Sequence, residues 1–294
     1  MKQILDVDSI RKVLPAMIQN ERFSFYLRKG KGGGRKIRFN IEKQISTNRN
    51  REKTIASLKE YTAYLETNHL DRLVLFRGQE EDWSLIPRVA RLNLNYENPN
   101  IQNAEQRMFD EFKKRSIPFL TTTPNSPWDW LALAQHHGMA TRLLDWTKNP
   151  LAGLWFAVRR LPTNINGQLK YGVVWVFEVN PDDVVSEKSK SNPFEGQKTE
   201  VFQPNHITPR IVAQQGWFTV HKYVERLQNF IPFEKLPGYR GALTKLIIPG
   251  DDFGKIRYDL DRCGINESTL FPDLDGLCKH LVWDNSLLED ETNL

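Results

Sequence analysis

The chain has 294 residues, 39% hydrophobic and 11% aromatic, which excludes wholesale disorder and supplies enough apolar material for a sizeable core. Its 41 Lys and Arg against 36 Asp and Glu leave a net charge of +5, which permits an acidic partner but lacks the dense basic stripe of a dedicated nucleic-acid binder. No stretch approaches the roughly 18 apolar residues that span a bilayer, and two cysteines, Cys263 and Cys278, form neither a disulfide framework nor a zinc site.

In chain order, residues 1–20 place Ile4, Leu5, Ile10, Val13, Leu14, Met17 and Ile18 on one stripe and predict an amphipathic helix. Acids and bases interrupt that stripe, so it does not read as a secretory signal, and a cytoplasmic protein with no membrane partner is expected. FSFYLRKGKGGGRKIRFNI predicts a strand, a Gly loop and a second strand. A helix is expected over 50–67 from Ile55, Leu58, Tyr61, Tyr64 and Leu65, then a strand in DRLVLFRGQ ending in a turn.

Downstream, NAEQRMFDEFKKR and the segment after Pro124 and Pro127 predict helices, the second stopped at Gly138. TRLLDWT predicts a short strand, NPLAGLWFAVRR a buried helix capped by Asn149, and YGVVWVFEV a strand buried on both faces. Residues 181–209 are polar and proline-punctuated, a long loop or lid. RIVAQQGWFTVH and ALTKLIIP predict strands, followed by helices near 251–263 and 273–285 and an acidic tail expected to fray. Both cysteines are expected as small buried residues. The pattern predicts an α/β (α+β) fold: an N-terminal extension over 1–69, a single mixed-sheet domain over 70–285 and a tail over 286–294.

Three separated motifs carry a resemblance. They are Phe76-Arg77-Gly78-Gln79 with Trp83-Ser84-Leu85-Ile86-Pro87 and Arg91, Gln135 to Thr147 continuing through Asn149, Pro150 and Phe156-Ala157, and Arg210-Ile211 with Gln214-Gln215-Gly216 and Phe271 to Gly276. Over roughly 70–282 the chain resembles the FRG domain family. The resemblance implies bacterial and phage-like contexts and a toxin or anti-phage defence role, with an antitoxin or defence-system partner. It brings no catalytic assignment.

The chemistry is therefore read from the residues. Arg77 ends an apolar strand, where its fork suits bidentate binding of phosphate or carboxylate, and Gly78 beside it lets backbone approach a ligand. The layout is similar to that of NAD-dependent ADP-ribosyltransferases. That resemblance implies Arg77 on the NAD phosphates, Thr141 or Thr147 on the nicotinamide side, and an acid near Gln214-Gln215, where this chain has glutamine. An amide supplies no negative charge to an oxocarbenium, and nothing in the sequence selects Glu178 or Glu200 instead. His136-His137 and Asp145 suit a general base with its orienting carboxylate, or metal ligands. Adjacent helical histidines point about 100° apart, so no metal is expected. An internal bond between Arg142 and Asp145 is also expected.

The candidate catalytic set is Arg77, His137, Thr141, Asp145 and Gln215. Arg77, Gly78, His136 and Thr147 are the candidates for holding NAD as co-substrate. This reading requires Arg77, His137 and Gln215 to share one cleft. The target is a nucleic acid or a protein. Two alternatives stay open: a non-catalytic nucleotide or nucleic-acid binding module, with Lys29, Lys31, Arg35 and Lys36 contacting phosphates, and a metal-dependent nuclease using His136, His137 and Asp145.

Overall fold

A computed structural model describes residues 25–29, 35–39, 51–68, 72–94, 100–185, 192–205 and 208–292. The chain divides into two compact units, Met1–Asn48 and Arg49–Leu294. In the first, β1 (Phe25–Lys29) and β2 (Arg35–Phe39) pair antiparallel with Lys29 opposite Arg35, the two strands expected there. The helix expected over 1–20, and Lys31, lie outside the described residues.

The second unit is built on a seven-stranded mixed sheet. Its strands are β3 (Arg51–Thr54), β4 (Val74–Gln79), β5 (Leu143–Thr147) and, after a small ribbon of β6 (Asn164–Ile165) and β7 (Gln168–Leu169), β8 (Gly172–Glu178), β9 (Glu200–Phe202) and β10 (Gly216–Val220). A second ribbon, β11 (Tyr223–Val224) and β12 (Asn229–Phe230), precedes β13 (Leu243–Ile248). The spatial order is β3-β13-β8-β4-β5-β10-β9, with β3 parallel to β13 and every other neighbour antiparallel. The run Val173 to Phe177 is buried throughout, which suits β8 to a position between two helix- and loop-covered faces.

Alternation along β4 sorts its side chains. Val74 and Phe76 join a core with α1 (Leu58–Thr67), α4 (Pro150–Val158) and α6 (Phe253–Arg262). Leu75 joins the opposite core with Trp146, Trp175, Phe177 and Phe233. A third core forms where α2 (Ile101–Arg115) and α3 (Pro127–His136) cover the β5–β10–β9 half. A Cβ on Gly78 would strike the Gly153 carbonyl, and one on Gly153 would sit 2.7 Å from the Phe76 Cβ, so strand and helix touch backbone to backbone. The missing side chain of Gly78 therefore serves helix packing.

Some expectations change. Residues 51–54 are an exposed edge strand, and the helix begins only at Leu58, capped by Ser57. The second unit starts at Arg49. The RIVAQQ segment is helix α5 (Pro209–Ala213), capped by Thr208, and Gln215 at φ +45 turns the chain into β10. After α7 (Glu267–Leu270) and α8 (Leu274–Asp284), the acidic tail folds back. Arg257 on α6 donates to Asp290 and Glu291, each at 2.6 Å, and Glu291 is buried. Both cysteines are exposed, because Cys263 ends α6 and Cys278 lies on the outer side of α8. Among the described residues no helix is long and apolar enough to cross a membrane.

The largest polar feature of the interior is a pair that the sequence does not advertise. Arg142 bonds Glu105 of α2 through Nε at 3.0 Å and Nη2 at 2.8 Å, and the Arg142 amide donates to the same carboxylate at 2.6 Å. Arg142 therefore has no bond to Asp145, because Glu105 reaches it from a neighbouring helix and both are fully buried. Removing one partner strands the other charge in the interior. Glu105→Ala is expected to cost about 3–5 kcal/mol in urea unfolding, with Glu105→Gln intermediate. Deleting residues 289–294 is expected to lower the unfolding midpoint through the same effect at Arg257, and Arg257→Leu in the shortened chain should restore part of the loss.

Candidate functional site

Strands β4 and β5 are paired at a single position, Phe76 opposite Thr147, and part company beyond it. The Arg77 guanidinium crosses the gap, its Nη1 donating to the Asp145 carbonyl at 2.7 Å and lying 3.7 Å from the Asp145 carboxylate. Its Nε is buried with no hydrogen-bond partner. A cavity of about 450 Å³ opens along this split, within the size range of small-molecule sites. Its walls include Arg77, Trp83, Arg88, Arg91, Gln135, His136, Asp145, Arg159, Arg210 and Gln214.

The acid side of the cavity is assembled by a helix end. Helix α3 stops at Gly138, whose φ of +85 lets the chain reverse toward β5. Gln135 in the last turn then faces Asp145. The Thr141 hydroxyl donates to Gln135 Oε1 at 2.7 Å, which leaves the amide nitrogen 3.2 Å from Asp145 Oδ2. The Asp145 carboxylate is thus oriented yet still 60% exposed. Its neighbour His136 is pushed down to about 4 by burial, then by Arg210 and His137, against the opposing pull of Asp145 and Asp273. His136 is therefore neutral at pH 7.

The cationic side comes from three elements. Arg88 and Arg91 sit on a turn after Pro87, and Arg88 donates to the Gly138 carbonyl at 3.0 Å. Arg210 on α5 stacks 4.3 Å from the Phe271 ring, and burial lowers its guanidinium against the opposing pull of Asp145. Arg159 is engaged with Glu80 at 2.8 Å. Five arginines against two acids, Glu80 and Asp145, leave the walls with a formal excess of three positive charges.

Of the residues expected at the site, Arg77, Gly78, His136, Asp145 and Thr147 line this cavity. Arg77, His137 and Gln215 do not converge, so the site is not assembled in the form expected from the sequence; Asp145, not Gln215, shares the cavity with Arg77. His137 caps α3 exposed to solvent, and Gln215 is exposed in its left-handed turn, its carbonyl accepting from the Lys148 amide at 3.1 Å. Thr141 is fully buried behind Gln135. The Thr147 hydroxyl bonds the Gln214 carbonyl, and the Gln214 amide donates to Leu270, so both hold backbone in place. Glu178 and Glu200 lie outside the cavity lining. His136 and His137 rings stand nearly perpendicular, and among the described residues no three His, Cys, Asp or Glu side chains are grouped to hold a metal. Lys29, Arg35 and Lys36 belong to the β1–β2 ribbon.

Sequence reasoning passed over Gln135, Trp83, Arg88, Arg91, Arg159 and Arg210 as site residues. All but Arg88 and Arg159 stand inside the motif segments, and that membership was the available signal.

Behind the cavity, His221 is fully buried with Nε2 on the Thr219 hydroxyl at 3.1 Å, and Nδ1 has no partner. Burial, then Arg77 and Arg142, drive it down to about 3. The unfolded chain, with an ordinary imidazole near 6.5, binds the proton first as pH falls. The contribution is complete above that value and is lost as pH drops toward 3. Urea midpoints measured from pH 7 to 4 should therefore fall more steeply for the native chain than for His221→Gln.

With the geometry in place, similarity to known proteins can be stated. No curated protein and no solved structure matches the chain. Residues 72–164, which run from the approach to β4 through β5 and α4 and so contain the split, match the model of the FRG domain family, and the chain carries an FRG domain.

Proposed function

We propose that the cleft between β4 and β5 binds NAD as a co-substrate and supports transfer of its ADP-ribosyl group. One observation carries this reading: Arg77, a half-buried guanidinium fork, and Asp145, an oriented and exposed carboxylate, stand in one cavity whose walls are otherwise rich in arginine. Such walls suit a pyrophosphate, since guanidinium–phosphate pairs are charge-assisted and directional.

In the transfer, the bond between nicotinamide nitrogen and ribose C1′ breaks, and its electron pair leaves with neutral nicotinamide. A nucleophile of the acceptor bonds C1′ and releases its proton to solvent. Positive charge builds on the ribose between these events, and a fixed carboxylate lowers its energy. Asp145 takes the role that the layout assigns to an acid near 214–215, where the Gln214 side chain bonds the Leu270 carbonyl and Gln215 lies exposed outside the cavity. Gln135 holds the carboxylate, and His136, neutral at pH 7, adds no opposing charge.

A second reading, a nucleotide-binding module without catalysis, is favoured by the hydrogen bonding already invested in Asp145 from Gln135 and the nearby Arg77. Calorimetric titration with NAD and assay of nicotinamide release separate the two. Arg77→Lys, which keeps the charge but loses the fork, is expected to bind NAD about 10-fold more weakly or worse, in line with ~1.5–3 kcal/mol for a hydrogen bond to a charged group. Asp145→Asn is expected to retain binding and lose release. Binding by the native chain with no release under any acceptor establishes the second reading. Absence of NAD binding overturns both as they concern NAD.

A further inference from the structure

Resting on the reading of the cleft as an NAD site, we infer that its rim also holds a second ligand, the acceptor, and that this acceptor is a single-stranded nucleic acid.

Charge gives the first argument. NAD brings two negative phosphates and one positive nicotinamide ring, a net single negative charge, into walls with an excess of three positive charges. Arg77 is partly balanced by Asp145 and Arg159 by Glu80. Among the described residues the guanidinium groups of Arg91 and Arg210 form no ion pair or hydrogen bond with the protein. Arg210 is nevertheless held in place by the Phe271 ring. Unspent, positioned guanidinium groups beside a dinucleotide site call for further anionic groups from outside.

The second argument is Trp83. It lines the cavity and is 48% exposed, an unusual state for so large an apolar ring. Its loop is fastened by three consecutive acids. Glu80 holds Arg159 and lies 3.5 Å from Arg160, Glu81 accepts from Thr163 at 2.7 Å, and Asp82 binds Lys245 and accepts from the Tyr171 hydroxyl at 3.1 Å. That much anchoring keeps an exposed indole fixed at the cavity edge. A rigid aromatic plane beside unpaired arginines is the arrangement that binds single strands, the ring stacking a base while guanidinium groups follow the phosphates. An acidic peptide would use the arginines and leave the indole plane without a partner.

The test uses the full chain with labelled single-stranded DNA and RNA oligonucleotides, read by fluorescence anisotropy over a range of salt, alongside NAD titration. The expected result is strand binding that weakens with salt. Arg91→Ala and Arg210→Ala should each reduce the logarithmic salt slope by about 1, and Trp83→Ala should weaken binding about 5-fold or more at every salt concentration. With NAD present, labelled ADP-ribose should appear on the oligonucleotide. Native chain that binds NAD but no oligonucleotide overturns the inference. So does strand binding that is unchanged in the Arg91→Ala, Arg210→Ala double variant but lost on neutralising Lys29, Lys31, Arg35 and Lys36. Label that appears on protein while the oligonucleotide stays unmodified also overturns it. Loss of NAD binding alone, with the three substitutions still weakening strand binding, removes the NAD reading and leaves the strand site standing.

Discussion

The bond from Arg77 to the Asp145 carbonyl spans the place where the sheet stops being a sheet. A β4–β5 pair with one register position is too short to hold two strands by its ladder. What joins them beyond that point is one guanidinium, bonded to backbone on the far strand and lying near the carboxylate of the same residue. The opening so created is the cavity, and the residue that bridges it is also the cavity's most buried cation. The side chain that bridges the split therefore also lines the cavity.

Around that split, polar pairs do the work that apolar cores do elsewhere. Glu105 with Arg142 ties α2 to the start of β5, Arg257 with Asp290 and Glu291 ties α6 to the end of the chain, and Lys245 with Asp82 ties β13 to the loop after β4. Buried pairs of this kind add modest net stability but are costly to break singly. They also fix direction, since a bidentate fork tolerates little sliding.

Local chemistry made much of this legible in the sequence. Asn149 and Pro150 announce α4 and the structure caps it as expected, with the Asn149 side chain accepting from the amides of Leu151 and Ala152. The apolar run of β8 and the stop at Gly138 follow from composition alone. What stayed hidden is nonlocal. Glu105 and Arg142 are 37 positions apart, Arg257 and Glu291 34, and no periodicity connects them. Gln215 adopts a left-handed conformation with a side chain that does not favour one, so the turn left no mark, although Thr208-Pro209 signals the helix before it. The edge strand β3 is polar at all four positions and so lacks the alternation by which strands are recognised. At the site, β4, α3, β5 and α4 fall where the sequence predicts them, whereas the segment carrying Arg210 and Gln214 is helix where a strand was expected. The individual side chains sorted differently because the turn at Gly138 sends His136 inward and His137 out.

The contact between Gly78 and Gly153 fixes one wall of the split. With no side chain between them, β4 and α4 are laminated, and neither can slide without its backbone meeting the other. The opposite wall is held by side chains instead: the Glu105–Arg142 pair anchors the start of β5, which carries Asp145, and the Phe271 ring packs on Arg210. One face of the cleft is thus fixed by backbone lying on backbone, the other by charge and ring contacts that substitution can tune one at a time.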